Sequence, residues 1–384
     1  MLEIKEVRTR RQQRQFLKFP LKLYKDNPHF VPPLWGDEKK IFSKKYVYND
    51  TCESVFYLAY RDGKPVGRIS GILQKASNDL RNEKRVRFTR FDAVNDQAVA
   101  DALFGAVEQW AQGKGMDTVC GPLGYSDLER EGLLIEGFDR LSTFEEQYNA
   151  NYYQSLIEHC GYAKEVDWTE SMIRLPDEDD GTLEKMADFI MKRYDLHFGH
   201  AKNIKDFIRR YADGFFDLLD KSYAHLYGTV PFTPAMKKMM VANFKLIADE
   251  KHVEVILDKD NNVVCLGICF PSIAKAVQPS GGRLTPACIV RVLRALKHPD
   301  VIDLGLIGVD PAYANRGIGA VFSAALLRML REDGIEYAET NLNLEDNASI
   351  QNMWKRFKSE PHKRRRSFVK LLDEQTAAGK GDTP

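Results

Sequence analysis

Two glycines with one residue between them, Gly317 and Gly319, stand where an apolar segment gives way to a helical pattern, with Arg316 just before them. That spacing lets the backbone close on a ligand, and the free N–H groups and positive dipole end of the following helix favour an anion. Phosphate is the natural guest. Further on, Tyr337, Glu339, Asn341 and Asn343 alternate along an extended segment, and Asn347 opens a short helical run with Trp354 seven residues later. By the period of two the alternating residues share one face. Glu339 is their only carboxylate, which makes it the candidate base, working through a water beside Asn341. A solvated or ion-paired strand residue is the alternative for Glu339.

These residues need elements to position them. Val301 to Val309 is apolar and β-compatible, and Asp310-Pro311 stops it. Ile318, Val321, Phe322, Ala325, Leu326, Met329 and Leu330 then recur at helical spacing until Asp333-Gly334. Arg328 and Arg331 fall in the last turns, where the helix dipole favours cations. Ile335 to Leu344 reads as the next strand. The order is strand, glycine turn, helix, strand, short helix.

Spacing separates the phosphate-binding readings. A Walker A loop needs Lys after its last glycine, and Ala320 stands there. The dinucleotide fingerprint needs a third glycine where Phe322 stands, whose bulk would keep the helix from its strand. What remains, Ala314-Asn315-Arg316-Gly317-Ile318-Gly319-Ala320, resembles motif A of the GNAT acyltransferases, a Gln/Arg-x-x-Gly-x-Gly/Ala turn that binds the pyrophosphate of coenzyme A. Ala314 departs from the pattern, and Arg316 is close enough to compensate. Asn347 to Phe357 resembles motif B, whose Asn meets the pantetheine arm and whose aromatic is often a Tyr serving as general acid. Trp354 replaces that Tyr, and an indole N–H donates a hydrogen bond without acting as an acid. Plain N-capping is the other role for Asn347.

The resemblance implies acetyl-CoA or another acyl-CoA as a substrate, no metal, and an amine acceptor. It places the cofactor against Ile307, Gly308 and Val309, then Asn315, Arg316, Gly317, Ile318, Gly319 and Ala320, with Asn347 and Trp354. The family grips its acceptor between the first two helices, here the loop Tyr227 to Phe232, and an aromatic-apolar loop suits a large or lipid-like amine. Interhelical packing is the alternative for Tyr227 and Phe232. Ala314 and Trp354 also admit a non-catalytic acyl-CoA-binding or scaffold protein.

At 384 residues the chain is about twice one such module. Its 56 Lys and Arg balance 55 Asp and Glu, so no global field draws nucleic acid or membrane. Six cysteines without a CxxC pair point to a reducing cytoplasm, and no apolar run approaches a membrane span. The eight histidines have no metal-ligand spacing, and oligomeric state is not legible.

The expected fold is α/β (α+β), two tandem GNAT-like modules, each a mixed, mostly antiparallel sheet flanked by helices. Residues 1–176 form a degenerate module and 177–384 the module with the acyl-CoA site, divided at the acidic stretch Leu175 to Gly181. The first carries a hairpin turning at Asp62-Gly63, a strand to Ala93 and a helix from Gln97. No glycine precedes that helix, and Asp96 would oppose a pyrophosphate. In the second module 271–300 is an insertion with an apolar-basic helix around Ile289 to Lys297. His362 to Arg366 reads as a strand, which could meet an anion on one face. A solvated edge guarded by charge is its commoner explanation.

Overall fold

The computed structural model describes residues 1–224, 226–247 and 250–372. In chain order the elements are β1 (Leu2–Glu6), α1 (Arg10–Leu23), α2 (Trp35–Glu38), β2 (Cys52–Arg61), β3 (Lys64–Gln74), α3 (Lys75–Arg81), β4 (Arg85–Ala93), α4 (Gln97–Gly113), β5 (Thr118–Gly121), β6 (Leu133–Glu136), α5 (Tyr153–His159) and β7 (Ala163–Arg174). They continue with α6 (Thr182–Arg193), β8 (His197–Phe198), α7 (Ile204–Tyr223), α8 (Pro234–Ile247), β9 (Val253–Leu257), β10 (Val263–Pro271), α9 (Ala274–Val277), α10 (Pro286–Lys297), β11 (Val301–Val309), α11 (Ile318–Glu332), β12 (Tyr337–Thr340), β13 (Asn343–Leu344), α12 (Ala348–Trp354) and β14 (Lys358–Leu371).

The chain divides into two compact units, and the division falls inside β7, upstream of the acidic stretch. One unit holds Met1–Asp167, Gln278–Leu284 and the chain from Arg364; the other holds Trp168–Val277 and Thr285–Lys363. In the first, strands run β1-β2-β3-β4-β5-β14, with β6 also on β14. Only the β4–β5 pair is parallel. The β2–β3 hairpin turns at Asp62 and Gly63, both at positive φ, as a two-residue turn matched to strand twist requires. Helix α4 lies on β3 because two glycines admit it: a Cβ at Gly67 would stand 2.8 Å from Leu103, and one at Gly71 3.2 Å from Trp110. Segment 278–284, read as the corner of an insertion, joins this unit. Gln278 Nε2 donates to the Pro28 and Phe30 carbonyls, and the Trp35 N–H donates to Gly282.

In the second unit the order is β7-β12-β11-β10-β9-β8, with β13 on β7 and only β11–β12 parallel. Helices α6 and α11 share one core, in which Leu183, Ala187 and Ile190 meet Val321, Leu326 and Leu330. Helix α7 lies on the opposite face. Gly267 faces Phe322 of α11, while Gly308, paired with neighbouring Leu266, faces Leu218 of α7.

Three features depart from expectation. Helix α6 lacks a signal strong enough to read. The strand expected over 335–344 breaks at Asn341, whose side chain accepts from the Leu342 N–H (2.8 Å) and reaches the Gly305 carbonyl (3.5 Å), so amide side chains displace the ladder. The charged run at 362–366 is no solvated edge: Lys363 is 2% and Arg365 0% exposed. Arg366 makes a two-pronged pair with Asp167 at 2.7 and 2.9 Å, which explains why charge is tolerated inside.

Candidate functional site

The turn between β11 and α11 is assembled from its own backbone. The Asp310 N–H bonds to Val264 of β10, its carboxylate caps Ala312 (2.9 Å), and the Arg316 N–H closes on Tyr313 (3.0 Å). Gly317 is the N-cap of α11 at φ +81°, and no side chain caps the helix. A Cβ there would meet Ile190 Cδ1 at 2.8 Å, so conformation and space both demand glycine. Gly319 is different. A Cβ there finds only Met353 Sδ, at 3.8 Å, which leaves open space over the first turn. Arg316 is exposed, its guanidinium held 4.7 Å from the Tyr313 ring and 5.2 Å from Tyr194. Among the described residues no carboxylate pairs with it, so its charge is available at the mouth of the helix.

Phe322 does not hold α11 away from the sheet. A Cβ at Gly267 would stand 1.8 Å from the Phe322 ring, so the glycine that permits close approach lies on β10 rather than on the helix.

Strands β11 and β12 pair from Val301↔Tyr337 to Leu304↔Thr340 and then part, while β11 runs on to Val309. At the parting point the β10–β11 register shifts, leaving Gly305 without a partner, and a Cβ there would meet the Phe270 ring at 2.4 Å. Beyond it the Ile307 carbonyl accepts from Tyr223 Oη (2.9 Å), and Gly308 is buried against Leu218 and Ser222. Ile307, Gly308 and Val309 thus form one wall of an opening in the sheet, which leads from the bulge to the helix terminus. Asn347 caps α12 through the Ile350 N–H (3.2 Å), and Trp354 is buried with its indole N–H donated to Asn343 Oδ1 (2.8 Å).

Glu339 is ion-paired rather than solvated. Its Oε1 lies 2.5 Å from His362 Nε2 and 2.8 Å from Lys363 Nζ, and Lys363 is also 2.8 Å from Glu170. Glu339, Lys363 and Glu170 are all buried, and Asp303 stands beside Glu339 across the parallel pair. Burial, with the charges of Glu339 and Asp303 adding to it, pushes the Tyr337 phenol up to about 12. The remaining nitrogen of His362, Nδ1, is buried with no hydrogen-bond partner. An ionised carboxylate only accepts, so Nε2 carries the proton toward Glu339 and a neutral ring keeps its lone pair on Nδ1.

The expected site residues thus separate. Asn315, Arg316, Gly317, Ile318, Gly319 and Ala320 form the turn; Asn341 reaches the Gly305 carbonyl; Asn347 and Trp354 bound α12, whose Met353 is the residue nearest Gly319. Tyr227 packs edge-on to Trp168 (5.8 Å) and Phe232 to Phe216 (5.6 Å), so these two act on different partners. Sequence reading missed His362, Glu170, Tyr223, Gly267 and Gly305. The first lay inside a basic run, and the glycines carry no pattern of their own.

No family model matches the chain. It is 27% identical over 364 residues to protein YghO of Escherichia coli (strain K12), covering 93% of this chain and 92% of that one. It is 24% identical over 337 residues to a bacterial ceramide synthase of Caulobacter vibrioides, covering 86% of each. Among solved structures, a tandem GNAT protein from the clavulanic acid biosynthesis pathway superposes with a TM-score of 0.56 at 12% identity, covering all of both chains. The fold is a tandem GNAT fold.

Within that GNAT frame the first module lacks the phosphate turn. Its equivalent helix, α4, starts at Asp96, which pairs with Arg61 at 2.6 Å. That hydrogen bond holds the Asp96 carboxyl below the usual carboxylate range, so the start of the helix carries an ion pair in place of a glycine turn. Among the described residues no His, Cys, Asp or Glu group is arranged to hold a metal, and no helix is long and apolar enough to cross a membrane.

Proposed function

We propose that the protein is an acyl-CoA-dependent N-acyltransferase whose second GNAT module alone binds the cofactor. The observation that carries this is the continuity of the open α11 terminus, with Gly317 in the left-handed conformation and Arg316 beside it, and the opening between β11 and β12. The pyrophosphate of coenzyme A meets the N–H groups of Ile318 and Gly319, since that of Ala320 is already donated to the Gly317 carbonyl at 2.8 Å, and the pantetheine arm follows Ile307 to Val309 toward the Gly305 bulge. The acceptor nitrogen attacks the thioester carbonyl, the C–S bond breaks, and the amine proton must pass to the sulfur. His362 Nδ1, buried without a hydrogen-bond partner, is the base, and Glu339 at Nε2 stabilises the imidazolium that forms. Asp303 and Gly305 are two residues apart on one strand face, roughly 7 Å, which sets Glu339 within side-chain reach of the bulge. Asn341 positions the strand gap. Trp354 orients Asn343 and supplies no proton.

A second reading is a long-chain, lipid-like amine as the acceptor, supported by an apolar crevice in the same unit and by one relative's name. Helices α7 and α8 with β9 and β10 line a small, wholly apolar pocket that includes Phe215, Phe216, Phe244 and Ile268. One relative is named a ceramide synthase, and a ceramide is the amide of a long-chain amine. Six free cysteines fit a reducing cytoplasm.

The deciding experiment follows thiol release from acetyl-, octanoyl- and palmitoyl-coenzyme A with a panel of short and long amines. Amine-dependent release of coenzyme A, with the amide found by mass spectrometry, is expected. Binding without thioester cleavage across the panel would make the protein a non-catalytic acyl-CoA carrier, and absence of binding would remove the assignment.

A further inference from the structure

Helix α10 is built inside out for a helix surrounded by water. Thr285 caps it through the Cys288 N–H (3.2 Å) and Pro286 opens it, so the helix is well specified. Cys288 is its only buried residue. That thiol points at the Ala276 carbonyl of α9, which also accepts from Arg291 Nε at 3.0 Å, so one seam fixes the helix to α9. The large apolar side chains point elsewhere: Ile289 is 45%, Leu293 60% and Val290 67% exposed. At 100° per residue these three span one continuous stripe. Leu284, just before the cap, is exposed as well.

The charges around the stripe name its partner. Arg294 and Lys297 are exposed and have no carboxylate partner among the described residues; by helical spacing Arg294 flanks the stripe beside Val290, and Lys297 closes its C-terminal end one turn beyond Leu293. The helix PACIVRVLRALK contains no acidic residue. An apolar stripe edged by unpaired cations on a helix too short to span is the pattern of a segment lying in a lipid interface, with its aliphatic side chains among the acyl chains and its cations at anionic headgroups. A water-facing stripe of this kind is otherwise an aggregation liability. We propose that α10 docks the second unit on an anionic membrane surface. The chain's net charge of +1 gives no general attraction, so the interaction depends on this one helix. This inference stands apart from the enzymatic reading, and it supplies the place where a long-chain substrate would be met.

The test is flotation of the full chain with extruded vesicles, of phosphatidylcholine alone or with roughly one third phosphatidylglycerol. The parent should float with the anionic vesicles, far less with the neutral ones, and should be released as salt rises. Ile289→Ser, Val290→Ser and Leu293→Ser together should cut the bound fraction at least tenfold without loss of folding, because all three side chains already face water. Arg294→Glu with Lys297→Glu should abolish the preference for anionic lipid. Failure of the parent to bind anionic vesicles would overturn the proposal. So would equal binding by the triple variant, or a parent dimer that the triple variant converts to monomer without any vesicle binding.

Discussion

Gly317 and Gly319 sit two residues apart in one turn, yet their substitution should have opposite consequences. At Gly319 a Cβ makes an ordinary 3.8 Å contact with Met353 and nothing else. An Asp there stands in the first turn of α11, where the dipole stabilises a carboxylate by about 0.3–1 kcal/mol, so Gly319→Asp should fold as well as the parent. With coenzyme A present, that carboxylate faces a pyrophosphate carrying about two negative charges at about 5 Å. Coulomb's law gives about 1.7 kcal/mol at the permittivity of water and about 3.3 kcal/mol at half that value, so affinity should fall roughly 20- to 250-fold. Gly319→Asn, of the same shape and uncharged, should lose far less. Calorimetric titration with coenzyme A at two salt concentrations reads the effect, which should shrink at high salt. Gly317→Ala should instead lose folding stability, on the order of 1–3 kcal/mol, because it enforces positive φ on a side chain that also meets Ile190 at 2.8 Å. Parental affinity in Gly319→Asp would refute the anion site, whatever the stability data show.

His362→Asn should lower turnover on the order of a hundredfold while leaving coenzyme A affinity intact; parental turnover would return the dyad to a structural role. Trp354→Phe keeps the ring and loses only the bond to Asn343, so turnover should fall less than about tenfold, the worth of about 1 kcal/mol. Gly267→Ala drives a methyl into Phe322 and should destabilise by about 1–3 kcal/mol in urea unfolding; pairing it with Phe322→Leu should recover part of the loss, and strict additivity would contradict the packing. In the first unit, burial alone would raise the Glu38 pKa, but Arg90, at 2.8 and 3.2 Å, holds it at about 2 against 4.5. Its stabilisation is therefore present above pH 4.5 and lost as pH falls toward 2, on the order of 3 kcal/mol, and Glu38→Gln should flatten that acid limb of stability.

What could be read from sequence was what local pattern encodes. The bounds of β11, α7 and α11 follow from apolar periodicity, and the turn between β11 and α11 from its glycines. The surroundings of Glu339 could not be read, because its partners come from β7 and β14, which lie far apart in the chain. Lys363 and Arg365 looked like solvated charges because such side chains are seldom buried. Their burial depends on partners that no period announces, such as Glu170 for Lys363. Phe322 looked like an obstacle because the rule examined one element alone, whereas the room for its ring was made by Gly267 on the facing strand. Strand β7 escaped notice because its polar letters mask a buried interior: Asp167 and Glu170 are 1% and 0% exposed.

The end of β14 belongs to the first unit, where Phe368, Val369, Lys370 and Leu371 pair with Gly121, Cys120, Val119 and Thr118. A ribosome makes β5 long before it makes that partner. While the intervening chain emerges, the nascent first unit carries β5 with one side unclaimed, a template for any passing strand. Closure of this long loop makes completion of the first unit a late event, coupled to the synthesis of the second unit rather than to that of its own first half. Fragments ending before Arg364 should therefore be caught by chaperones or aggregate, and a separately supplied peptide spanning 358–372 should rescue them.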